Sequence, residues 1–147
     1  AFLSFIVFFG LTNFRFENPT FPDNLHIDVT LIEARIIDKN GIGNEWFFTS
    51  NIENANLSEG IPLKVDLSGK TKIKIISTAI EEDPSSDDVG KNELTITPAN
   101  LNQLTSSSLI SRVVFVKEYN GKGAGKTATC KFTYKISQNT NGFATLK

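Results

Sequence analysis

One cysteine, one histidine and one tryptophan are all that this 147-residue chain holds of three residue types on which much protein chemistry depends. With Cys130 alone, no disulfide can close within the chain and no cysteine-based metal motif can be built. With His26 alone, and no serine or cysteine beside it in a recognisable motif, the chain offers no nucleophile and base set, and the expectation is a protein that is not an enzyme. An excess of positive charge is missing too: 15 Lys and Arg stand against 16 Asp and Glu, for a net charge of -1. Phosphate neutralisation needs a basic face, so this balance argues against nucleic acid as a partner. Lys117, Lys122, Lys126, Lys131 and Lys135 gather toward one end of the chain, but over two expected strands and a turn, which reads as a solvated face. The apolar run from residue 1 to residue 9 is far short of the roughly 20 residues that a membrane-spanning helix needs. Gly121-Lys122-Gly123-Ala124-Gly125-Lys126-Thr127 has three residues between its first glycine and the Gly-Lys-Thr, where a phosphate-binding loop has four, and it joins two strands. Nucleotide binding is set aside on that ground.

What is present is the pattern of short β-strands. Ile27, Val29 and Leu31 alternate with polar residues, as Ile73 and Ile75 alternate with Lys72 and Lys74, which marks half-buried strands. Further strands are expected at residues 45–50, 63–67, 93–97, 111–119 and 127–136, with turns at Gly41, Gly60, Gly69 and Gly121 and one helical turn after Pro98. Cys130 falls on the face opposite Lys131 and Thr133 and is read as a small core residue. Trp46, in the run Glu45-Trp46-Phe47-Phe48, is read as packed inside. Strands at roughly ten-residue spacing point to an all-β fold, an antiparallel β-sandwich of one domain over residues 25–137. Residues 1–24 are read as an appended apolar strand or hairpin with a linker, and residues 138–147 as a polar tail.

Seven of the twelve phenylalanines lie in the first 21 residues. The run that starts at Phe2 and ends at Phe9 is apolar on both faces of any strand it forms, so it needs cover on both sides. Three destinations stay open for it: the chain's own core, a neighbouring subunit in a homo-oligomer or surface assembly, or a membrane surface.

The densest charge lies in residues 79–90. Glu81, Glu82, Asp83, Asp87 and Asp88 put five carboxylates within eight residues, broken by Pro84 and two serines. Such a loop either sits in water or holds a hard cation, which takes oxygen ligands from carboxylates and loop carbonyls. Together with Asp38 and the glycines of residues 38–47, this stretch resembles the first and third calcium loops of C2-type domains, a family of calcium- and lipid-binding β-sandwiches. Asn44 and Glu45 stand where that family has an aspartate and a proline. Over residues 27–97 the resemblance implies a C2-like sandwich and a calcium site drawn from Asp38, Glu81, Asp83, Asp87 and Asp88. The function it implies is a non-enzymatic binding or structural module, located extracellularly or at the cell surface, where calcium is plentiful. The alternative is a structural subunit joined to its neighbours through the N-terminal run.

Overall fold

A computed structural model of the chain describes residues 17–104 and 107–138. The run between Phe2 and Phe9, with the subunit or membrane contact expected of it, lies outside the described residues, as does the tail from residue 139.

The alternation of apolar and polar side chains is realised as eight strands: β1 (His26–Asp38), β2 (Trp46–Ile52), β3 (Ala55–Asn56), β4 (Leu63–Asp66), β5 (Ile73–Glu81), β6 (Asp88–Ile96), β7 (Ser107–Lys117) and β8 (Thr127–Gln138). They form two four-stranded sheets, ordered β4-β1-β8-β7 and β3-β2-β5-β6. Every pairing of neighbouring strands is antiparallel. The fold is therefore an all-β sandwich, as the strand pattern predicts.

Its core is the set of inward positions. Ile27, Val29 and Leu31 of β1 and Cys130, Phe132, Tyr134 and Ile136 of β8 face Ile73, Ile75 and Ala79 of β5 and Leu94 and Ile96 of β6. Phe48 meets Phe132 edge to face, with ring centroids 5.8 Å apart. One polar device crosses this core. The Tyr134 hydroxyl, on one sheet, lies 2.7 Å from Ser50 Oγ and 2.5 Å from Ser77 Oγ on the other. All three side chains are buried, so these bonds satisfy groups that water cannot reach.

Two stretches differ in detail from the sequence reading. The supposed linker contributes Phe21 to the core, and the Phe21 N–H donates to Lys70 O at 2.7 Å. The β5–β6 hairpin is also tighter than expected, because β6 begins at Asp88 and not at residue 93. Gly90 and Asn92, weak strand formers, fill inward positions in its first half and hide the pattern there. The register runs from Ile73 opposite Ile96 to Glu81 opposite Asp88, leaving residues 82–87 as the loop. At the far end of β6, Thr97 caps the short helix α1 (Pro98–Leu101) through a reciprocal pair of bonds with Asn100.

Candidate metal site

The last rung of the β3-β2-β5-β6 sheet decides the chemistry of one end of the sandwich. In β5 the odd positions Ile73, Ile75, Ser77 and Ala79 point inward, and the next in that series is Glu81. Across the ladder Glu81 pairs with Trp46 of β2 and with Asp88 of β6. Glu81 is 1% exposed and Asp88 4%. Two acidic side chains thus lie directly opposite each other where the core meets the loops, an arrangement that destabilises a sheet when both are charged.

Asp83, half-buried in the loop, completes the group. Glu81, Asp83 and Asp88 each offer a carboxylate oxygen within 4.8 Å of the others, so the three can hold a metal ion. Glu81 Oε2 and Asp88 Oδ2 are buried without a hydrogen-bond partner. The lysine and arginine ion pairs of the described residues lie elsewhere, joining Arg35 to Glu33, Lys70 to Glu53 and Lys74 to Glu93. Burial pushes the Glu81 carboxyl above its ordinary value, and the charges of Asp83, Glu118, Asp88 and Asp87 push it further in the same direction.

Three loops converge on this group. The β1–β2 loop buries Ile42, 1% exposed, and lays Gly43 against Glu81. A Cβ at Gly43 would overlap the Glu81 carboxylate, and its φ of +29° is one that side-chain-bearing residues rarely adopt. The Glu82 N–H donates to Glu45 O at 2.9 Å, carrying the β2–β5 ladder one step into the loop. The β7–β8 loop is fastened from both sides. Asn120 Nδ2 donates to Ser86 Oγ at 3.1 Å, and Asn40 Nδ2 donates to Thr127 O at 3.2 Å.

Of the five sequence-predicted ligands, the structure brings Glu81, Asp83 and Asp88 together and places the other two outside the group. Asp38 is exposed, and its Oδ1 accepts the Asn40 N–H at 2.8 Å, so its carboxylate shapes the β1–β2 turn. Asp87 is exposed in the hairpin loop and contributes its charge to the field on Glu81.

One acid of this end went unnoticed in the sequence. Glu118, the residue after β7, is 8% exposed, and its Oε1 accepts the Gly123 N–H at 3.3 Å. The available signal was a single acid after Lys117, just ahead of the glycine-rich turn. Compared with known proteins, the chain matches no family model and no curated protein sequence.

Proposed function

We propose that this chain is a non-enzymatic binding module whose acidic end takes up one divalent cation, calcium by preference, and is ordered by it. The observation that carries the reading is the pair of buried, unpartnered oxygens, Glu81 Oε2 and Asp88 Oδ2, in a group completed by Asp83. A buried carboxylate without a partner is costly, and a cation removes that cost at both residues together. Calcium takes six to eight oxygens at about 2.3–2.6 Å, so two ligands on one ion lie no farther apart than about 5 Å. The 4.8 Å limit within this group suits that geometry. Carbonyls of residues 82–87 and water would supply the remaining ligands.

The meeting of the β1–β2 and β5–β6 loops at one end of the sandwich supports a C2-like reading of residues 27–97. In that reading the ion draws loop carboxylates together and presents a docking surface at the calcium-loaded end. A weak site of this kind fills where calcium is abundant, which favours the cell exterior or surface.

Thermal unfolding in chelator, then in 1 mM calcium, with magnesium as control, tests the reading. A site with Kd of about 10 μM adds about 2.7 kcal/mol at that concentration, or roughly 5–10 °C for a domain of this size. A calcium-selective rise of that order is expected, and an unchanged midpoint would overturn the proposal.

A further inference from the structure

We infer that the cleft between β6, α1 and β7 binds a small monocarboxylate with a compact apolar body, its carboxylate paired to Arg112. The site lies at the opposite end of β6 from the acidic loops and does not rest on the cation reading.

The sequence of β7 puts an arginine on the core side of its sheet. Val114 and Val116 point inward at 0% exposed, and stepping back two residues at a time reaches Arg112 and then Ile110. The register agrees, because Ile110, Arg112 and Val114 stand opposite Tyr134, Phe132 and Cys130, all buried on β8. A cation on that face calls for a carboxylate or for water. Arg112 takes part in none of the ion pairs of the described residues, among which lie all 16 Asp and Glu of the chain. Its Nη1 donates to Ser111 O at 3.0 Å, which takes one of the five N–H groups of a guanidinium.

Arg112 lines a cleft of about 320 Å³. The cleft exists because the seam between the edge strands β6 and β7 is closed over only part of its length. Near the acidic end Gly90, having no Cβ, lets Phe115 O lie against it, and Asn92 Nδ2 donates to Val113 O at 2.6 Å. Beyond Asn92 the strands part, and Leu94 and Ile96 of β6, Ile110 of β7 and Leu104 line the gap. The α1 wall is fixed in advance: Asn100 Nδ2 donates to Thr95 O at 3.0 Å, and Gln138 Nε2 of β8 donates to Leu101 O at 3.1 Å. Arg112 is the one charged side chain of the lining among the described residues.

These features together select the ligand. Small-molecule sites are largely apolar clefts of about 300–1,000 Å³ with a few polar groups that fix orientation, so this one suits a small occupant. A guanidinium matches a carboxylate with two parallel hydrogen bonds. One arginine balances one negative charge, whereas a phosphate monoester carries about two at pH 7. The four aliphatic side chains would cover a phenyl ring or a short alkyl chain.

The test is titration of the full chain in chelator with benzoate, followed by amide NMR, with benzamide as the neutral isostere and phenyl phosphate as the second anion. Saturable shifts confined to residues 94–96, 100–104 and 110–112 are expected, with Kd in the low millimolar range or tighter. Benzamide and the Arg112→Gln variant should each bind about tenfold more weakly or worse. Absence of saturation, shifts centred elsewhere, or equal affinity for benzamide overturns the inference, as does equal benzoate affinity in Arg112→Gln. Tighter binding of phenyl phosphate overturns the choice of a carboxylate. Should Arg112→Gln not fold, the benzoate and benzamide titrations of the native chain decide.

Discussion

Replacing Glu81 by Gln should make the metal-free protein more stable and the calcium-loaded protein less so. Glu81 is buried opposite Asp88, with carboxylate oxygens of Asp83 and Asp88 within 4.8 Å. At an effective dielectric of about 20, two unit charges at that separation repel by about 3–4 kcal/mol, an upper bound for each pair. The same burial and neighbouring charges hold the Glu81 carboxyl above its ordinary value, so its ionised form is the disfavoured one. Removing the charge should therefore gain about 1–3 kcal/mol in chelator, with the Gln amide free to donate to the unpartnered Asp88 Oδ2. In saturating calcium the order reverses. The native chain gains about 2.7 kcal/mol at a hundredfold excess of calcium over Kd, and the variant, one charged ligand poorer, forfeits most of it. Guanidinium unfolding in chelator and in calcium reads both signs. A variant less stable than the native chain by the same amount in both buffers would refute the reasoning, since Glu81 would then be a packing residue.

Three further outcomes follow from the same geometry. In chelator the folded chain binds the Glu81 proton more tightly than the unfolded chain, so this group's contribution to stability declines as pH rises from 4.5 through its raised folded value. Thermal midpoints across pH 4–8 should show that decline in the native chain, and Glu81→Gln should lack it. Gly43→Ala drives a Cβ into the Glu81 carboxylate at a positive φ, so a loss of about 1–3 kcal/mol is expected in chelator, with weaker calcium binding measured by titration. Tyr134→Phe strips the shared partner from Ser50 and Ser77 in the core and should lower the urea midpoint by the equivalent of about 1–3 kcal/mol without changing the slope.

How far the sequence could be read depended on whether a residue's placement is local. The parity of β5 is visible in Ile73 and Ile75, and carrying it forward two residues at a time puts Glu81 inside. That Asp88 faces Glu81 follows only once the hairpin register is known, and Gly90 and Asn92 blur it. Cys130 fell inside as its alternation implied, at 0% exposed. The two-residue strand β3 carries too little pattern to be seen, and Phe21 is buried by contacts with the distant β4–β5 turn. Asp38 looked equivalent to the acids of the hairpin, yet the positive φ at Asn40 turns the chain so that its carboxylate closes a local bond. Glu118 was hidden for a similar reason. Its carboxylate lies against Gly123, which folds back over it, and periodicity does not encode that turn.

The central claim is that buried, unpartnered carboxylates at one end of the sandwich hold a calcium ion. Calorimetric titration of the chelator-stripped native chain beside Asp88→Asn tests it most directly. One calcium bound per chain in the native protein, with binding lost or weakened at least about tenfold in Asp88→Asn, is the predicted result. An absence of saturable binding, or equal binding by the two proteins, would contradict it.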